Sequence, residues 1–363
     1  MKIAIFVNTP AQAHFIRNIV KKLEENGHNI IIISRQYGDT LEVLKYFGLP
    51  NEIYSRQVKN KLLNLIKFPI DILQAYKIIH RARPNLIFGF GINETYTGLI
   101  SRIPVIIFND SEPKCNNFSY AIQFKLFMLF TKLLITPSSF NQDMGKKHLK
   151  VNSYKELAYL HPDYYRPNEE IFDLLQLKRN EDYALIRFNA FDAVHDIGIT
   201  GISKEDKLNL VNELKRYVSV FISSEGDVQP ELEKYIIKIP KSRIHDVLYY
   251  AKLFICDTQT MTTEAAILGT PVIRCNSFVG PKDMGNFIEL EKKYSLMFNI
   301  RDPKKAIRKA EELIKYPNLK KEWRDKRERL LEDKCDITKF MVWFIENYPQ
   351  SVKGSPNILG SNV

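Results

Sequence analysis

The sequence predicts an α/β protein of two domains, each a mostly parallel sheet with helices on both faces. Three observations lead there. Short apolar runs of strand character alternate with stretches of helical periodicity along the chain. The alternation halts in a polar, Pro-containing stretch, HPDYYRPNEE, and then restarts. The 363 residues also exceed what one ordinary core organises, so two domains of about 150 to 200 residues are expected.

KIAIFVN, Lys2 to Asn8, reads as the first strand. A helix with Phe15, Ile16, Ile19, Val20 and Leu23 at helical spacing follows, and Gly27-His28 leads into a strand from Asn29 to Ser34, which completes a βαβ unit. Next come a helix from Thr40 to Phe47, a basic helical stretch from Lys61 to Arg81 and a strand from Asn85 to Gly89. A helix from Glu94, a strand from Pro104 to Asn109, an apolar helix from Phe118 and a strand from Leu133 to Thr136 close the first half.

After Glu170 the second half reads as strand Tyr183 to Phe188, helix Lys204 to Arg216, strands Val218 to Ser223 and Ile236 to Ile239, and helix Arg243 to Ala251. FICDTQTMTTEAAILGTPVI, Phe254 to Ile273, compresses strand, polar turn, helix and strand into one segment, with Gly269 and Pro271 stopping the helix. A strand from Leu296 to Ile300 and helices from Pro303 to Leu331 complete it. The expected divisions are 1–170, 171–335, a helix within 336–350 and a flexible tail, 351–363. Two such domains on a short linker leave a cleft, into which the loops at the carboxyl ends of the strands are expected to open.

Composition narrows the class. Hydrophobic residues at 45% and charged residues at 26% are globular proportions. No run approaches the roughly 18 to 20 apolar residues that span a bilayer, and the first residues break at Asn8 and Pro10, too early for a signal peptide. A soluble cytoplasmic protein is expected. The four cysteines, Cys115, Cys256, Cys275 and Cys335, have no paired spacing, which argues against a disulfide framework or a zinc site. The net charge of +11 is spread along the chain without a nucleic-acid-binding signature, so phosphate-bearing substrates or an anionic membrane surface explain it better than nucleic acid.

The chemistry concentrates at loops. There is no GxGxxG after the first strand and no GxxxxGK[ST], which removes the usual supports for a dinucleotide oxidoreductase or a P-loop nucleotidase. Four hydroxyl-bearing residues, Thr258, Thr260, Thr262 and Thr263, with Gln259 and Met261 among them, crowd a helix start, where free N–H groups and the helix dipole suit a phosphate or pyrophosphate. Glu264 lies one turn further in, within reach of the vicinal hydroxyls of a ribose; an ordinary Thr-capped helix would show the same pattern. Arg187 near a strand end is a candidate phosphate ligand, and Ser223 and Ser224 could add donors. Ile244 closes a strand-end stretch whose backbone could read a flat base. His195 in the loop after Arg187 could do acid–base work, or simply pair with Asp196.

In the first half, His14 in NTPAQAHF is a candidate general base for an acceptor hydroxyl. Glu94 in GFGINET, with Asp110 and Glu112 in FNDSEP, are further acids at strand ends. No Asp-x-Asp pair stands at a strand end to hold a metal, so chemistry without a metal is expected. The Lys59 to Arg83 segment interleaves basic and apolar residues, as a surface-lying amphipathic helix or a sheet-covering helix would.

MKIAIFVNTPAQAHF, SRQYGDT, YKELAYLHPDYYRPN, RFNAFDAVHDIGITGIS and DTQTMTTEAAILGTPVI together resemble domain-of-unknown-function family 354, which is similar in turn to GT-B glycosyltransferases and non-hydrolysing UDP-N-acetylglucosamine 2-epimerases. The resemblance implies a GT-B fold: two Rossmann-like domains, the second holding a nucleotide-sugar and the first an acceptor, with the C-terminal helix crossing back onto the first. It places Glu264 on the ribose, Thr258 to Thr262 at the pyrophosphate and His14 where several such transferases keep a catalytic His. The implied activity is a metal-independent glycosyltransferase using a nucleotide diphosphate sugar, UDP-linked, in assembling a surface glycan. The alternatives are a 2-epimerase, with Glu94, Asp110, Glu112 and His195 as its acids and bases, or an inactive nucleotide-sugar-binding protein. No cofactor is expected. A glycan or lipid-linked acceptor and peripheral association with the inner membrane face complete the expectation.

Overall fold

The computed structural model describes residues 1–58, 61–115, 118–189, 201–224, 226 and 228–353. The chain divides into two compact units, Met1–Tyr164 with Lys334–Val363, and Tyr165–Asp333. The divisions fall after 164 and 333, where the sequence pattern suggested 170 and 335.

Unit 1 runs β1 (Lys2–Val7), α1 (Pro10–Glu25), β2 (Asn29–Gln36), α2 (Thr40–Tyr46), β3 (Asn51–Arg56), α3 (Lys61–Ala82), β4 (Leu86–Gly89), α4 (Ile92–Ser101), β5 (Val105–Phe108), α5 (Phe118–Phe130), β6 (Leu133–Pro137), β7 (His148–Val151) and α6 (Leu157–Leu160). Its seven strands are all parallel, in the order β3-β2-β1-β4-β5-β6-β7. The central strands are apolar at nearly every position because helices cover both faces.

Unit 2 runs α7 (Ile171–Leu174), β8 (Tyr183–Phe188), α8 (Lys204–Leu214), β9 (Ser219–Ser224), α9 (Ile244–Tyr250), β10 (Leu253–Cys256), α10 (Thr260–Leu268), β11 (Val272–Arg274), α11 (Gly285–Lys292), β12 (Met297–Asn299), α12 (Pro303–Ile314) and α13 (Leu319–Asp333). Its five parallel strands follow the order β12-β11-β10-β8-β9. The chain then returns to unit 1 as α14 (Ile337–Glu346) and α15 (Gln350–Lys353). Asp336 caps α14 by accepting from the N–H groups of Thr338 and Lys339, and α14 packs on α1 and α6.

Three elements differ from the sequence pattern. The stretch from Ile236 to Ile239 is not a strand: a single bridge joins Ile236 to Ile222, and Pro240 follows, which has no N–H to continue a ladder. β3 and β7 are extra strands at the two edges of the first sheet. α11 is an additional helix, burying Phe287 and Leu290.

Candidate functional site

In unit 2 the chain builds β9 on one side of β8 and β10 to β12 on the other. The strand order therefore reverses between β8 and β10, the place where open α/β sheets leave a crevice beyond their carboxyl ends. Asn189 and Asp257 follow those two strands, and the Asn189 N–H donates to Asp257 Oδ1 at 2.7 Å. The last full register row of the sheet carries Ser223, Arg187, Cys256, Arg274 and Asn299. Arg187, half-buried, donates from Nη1 to Ser223 Oγ. Ser224 turns its hydroxyl to the Gly226 carbonyl at 2.8 Å.

The turn after Asp257 leads into α10, whose N-cap residue, Gln259, makes no side-chain capping bond. Thr258 is 7% exposed, and its hydroxyl has no hydrogen-bond partner among the described residues. Thr262 is different: fully buried, it donates to the Thr258 carbonyl at 2.7 Å and touches Cys256 Sγ at 3.0 Å. This back-bonding to the residue four positions earlier is what a Thr inside a helix does, so its hydroxyl faces the core and not a ligand. Thr263 is buried as well, beside Asn286. Gln259, Thr260 and Met261 remain half-buried around a helix start. What the turn offers an anion is therefore chiefly backbone N–H and the dipole, with Thr258 alongside.

Glu264, one turn further along α10, is 5% exposed, and its Oε1 lies 3.1 Å from Nε2 of His245, itself 4% exposed on α9. Ile244, half-buried, begins α9. Burial raises the Asp257 carboxyl to about 6, against the pull of the Asn189 N–H and the Lys207 ammonium. Arg274 is wholly buried: it pairs with Asp283, stacks 3.7 Å from the centre of the Phe287 ring, and leaves Nε and Nη1 without partners among the described residues. Sequence reasoning missed Asn189, Lys207, His245, Arg274 and Asp283. An arginine inside the apolar run PVIRC was a signal for one of them. His195 lies in 190–200, outside the described residues.

In unit 1 the order reverses between β1 and β4. The loop ends there are tied together: Tyr54 donates to Asn8 Oδ1 at 2.6 Å, Asn93 donates to the Tyr54 oxygen at 3.0 Å, and the Asn8 N–H donates to Gln12 Oε1 at 2.7 Å. Glu94 is wholly buried and caps α4, accepting from the N–H groups of Phe90 and Gly91. Burial holds its carboxyl above the usual range. Asp110 is ion-paired with Lys155 at 2.6 Å, and Glu112 is 2% exposed. Of these strand-end acids, Glu94 is thus engaged in a helix cap and Asp110 in an ion pair, and Glu112 is buried. His14 sits in the second turn of α1 with its ring 5.1 Å from Phe47 and 5.2 Å from Tyr159. Among the described residues, His161, Asp163 and Asp336 come within metal-ligating range of one another, but the Lys339 ammonium lies 3.2 Å from Asp163 and 3.4 Å from Asp336 and already supplies the positive charge.

Two parallel α/β units, each with its polar loops at the carboxyl ends of the strands, define a protein of the GT-B fold class. The chain belongs to the family described as protein of unknown function DUF354, which matches residues 1–348. Among solved structures it is similar to S. aureus MnaA in a co-structure with UDP, at TM-score 0.71 and 14% identity over 99% of this chain and 100% of that one. It is similar also to the Neisseria meningitidis UDP-GlcNAc 2-epimerase bound to UDP-GlcNAc, at TM-score 0.65 and 11% identity over 95% and 100% of the two chains. The spinosyn rhamnosyltransferase SpnG, complexed with spinosyn aglycone, matches at TM-score 0.61 and 12% identity over 96% and 100%. No curated protein matches the chain in sequence.

Proposed function

We propose that the protein is a glycosyltransferase that takes a sugar from a nucleotide diphosphate donor, UDP-linked, without a metal, and passes it to a glycan or lipid-linked acceptor in surface glycan assembly, working in the cytoplasm or at the inner membrane face. The observation that carries this reading is the start of α10, where the N-cap residue Gln259 makes no side-chain capping bond, at the point where the strand order of unit 2 reverses, with the Glu264 carboxylate one turn inside. The diphosphate would meet the positive end of α10 and the Arg187 guanidinium, which disperse its charge. Glu264 would take the ribose hydroxyls. In the transfer, the acceptor oxygen bonds to the anomeric carbon, the bond from that carbon to the diphosphate oxygen breaks, and UDP leaves with the electron pair. The acceptor proton goes to a base, for which His14 is the proposed group and His195 the other candidate.

The likeness to the Neisseria meningitidis UDP-GlcNAc 2-epimerase, at TM-score 0.65, favours a second reading, epimerisation of a UDP-sugar. Against it stands the engagement of Glu94 in a helix cap and of Asp110 with Lys155, because elimination and re-addition at a sugar need several available acids and bases.

Thermal-shift titration with UDP, GDP, TDP and their sugars tests the shared premise: a nucleotide at a hundredfold over its Kd should stabilise by about 2.7 kcal/mol. If none raises the melting temperature at millimolar concentration, both readings fall. Proton NMR in deuterated water separates the two. Deuterium entering the sugar with no acceptor present indicates epimerisation, and turnover that requires an acceptor indicates transfer.

A further inference from the structure

Helices α3, α4 and α5 of unit 1 form a layer that is apolar on both sides. On α3 the buried Ile72, Ala75 and Ile79, spaced i, i+3 and i+7, belong to the core. The other side of the same helix carries Ile66, Ile70 and Leu73, spaced i, i+4 and i+7, which are 64%, 50% and 54% exposed. α5 repeats the pattern: Phe124 and Phe127 are buried, while Ile122, Leu126, Leu129 and Phe130 fall on one stripe and are exposed. Leu99 and Ile100 add to the surface from α4, which packs against both neighbours. Tyr96 of α4 ties the layer together, its ring 5.9 Å from Phe68 and 5.7 Å from Phe130.

An apolar surface drawn from three adjacent helices signals an interaction site, and its charges say with what. The only acidic residues in the three helices, Asp71 and Glu94, are buried, one against Lys67 and the other in the cap of α4. Lys77, Arg102, Lys125 and Lys132 are exposed cations on and beside the layer, while the exposed Arg81 of α3 is paired with Glu52 of β3. A second copy of the chain brought face to face would set these cations against their own kind, in a protein of net charge +11. A bilayer with anionic headgroups offers apolar and electrostatic complementarity together. No helix among the described residues is long and apolar enough to cross a membrane.

We infer that this face docks on an anionic lipid surface, with the exposed aliphatic side chains of α3, α4 and α5 in the headgroup boundary and the four cations beside the lipid phosphates. The inference stands on the surface alone and does not need the proposed reaction.

Flotation of the full chain with vesicles of equal parts phosphatidylglycerol and phosphatidylcholine, against pure phosphatidylcholine, tests it. The chain should float with the mixed vesicles and release as salt shortens the screening length from roughly 30 Å at 0.01 M to roughly 3 Å at 1 M. Ile70→Glu with Leu126→Glu should lower the bound fraction at least about tenfold at an unchanged melting temperature. Lys77→Gln and Lys125→Gln should each lower partitioning roughly fivefold, and they keep the test open if the first pair fails to fold. No flotation of the wild type, or equal flotation of all variants, overturns the inference. So does a sedimenting dimer that Ile70→Glu with Leu126→Glu converts to a monomer. Nucleotide stabilisation measured on the same protein is a separate readout, so the inference and the proposed function fail independently.

Discussion

His245 and Glu264 face each other across α9 and α10, Nε2 to Oε1 at 3.1 Å, with both side chains almost fully buried. The imidazole fixes where the carboxylate points, so the pair rather than Glu264 alone defines the proposed ribose contact. Glu264→Ala should weaken UDP binding by about 1.5 to 3 kcal/mol, the worth of a hydrogen bond to a charged group, or roughly 10- to 100-fold in Kd. His245→Ala leaves the carboxylate in place without its partner and should have a smaller effect on Kd. Calorimetric titration with UDP measures both. Wild-type affinity in Glu264→Ala would remove Glu264 from the nucleotide site.

Asp257 gives unit 2 a pH signature. Burial raises its carboxyl from the ordinary 3.8 to about 6, so the native state holds the proton more tightly than the unfolded chain. The stability this confers is present near pH 4 and lost as pH rises toward 6. A rise of that size corresponds to about 3 kcal/mol. Asp257→Asn, which imitates the protonated form, should therefore be more stable than wild type at pH 7 by up to that amount, with the gain fading by pH 4. Denaturant midpoints across this range decide it, and a difference independent of pH would contradict the assignment.

The parts legible in the sequence were those with strong local patterns. Buried parallel strands such as β1, β4 and β10 are continuous apolar runs between turns, so their positions could be read directly. β3, NEIYSR, and β7, HLKV, were not readable, because an edge strand has one partner and no need of a continuous apolar run. The α10 turn was visible through its crowd of threonines, but the sequence could not say that Thr262 bends its hydroxyl back to Thr258. Glu94 shows the same limit. Its place at a strand end suggested chemistry, and only the folded loop reveals that it caps its own helix. Partners such as His245 and Glu264 are separated in the chain by a strand and a turn, so no local pattern announces them.

His148 should make unit 1 sensitive to acid. Its Nδ1 accepts from the Met144 N–H at 3.2 Å, which leaves Nε2 to donate to Thr136 Oγ1 at 2.8 Å, so the ring is neutral in the native state. Burial, helped by Lys150, lowers it from 6.5 to about 4. A group whose native value lies below its unfolded one contributes stability above pH 6.5 that is lost as pH falls toward 4, here about 3 kcal/mol at most. His148→Gln should flatten this part of the stability profile. An unchanged slope between pH 6.5 and 4 in that variant would assign the acid sensitivity to other groups.

Gly89 closes β4, and a Cβ there would overlap the side chain of Glu94, whose carboxylate must fold back to reach the N–H groups of Phe90 and Gly91. Gly89→Ala should therefore displace the cap of α4. Loss of a cap costs about 1 kcal/mol and overpacking typically 1 to 3 kcal/mol more, so a destabilisation of roughly 2 to 4 kcal/mol is expected in urea unfolding. Adding Glu94→Ala removes the clash, and the two changes together should cost less than the sum of each alone. Glu94→Gln separates cap from chemistry, since its amide oxygen can accept the same two N–H groups but the side chain cannot exchange a proton. Near-native stability with unchanged turnover in Glu94→Gln would establish a purely structural carboxylate. Near-native stability with lost turnover would return Glu94 to the reaction and favour the epimerase reading over transfer.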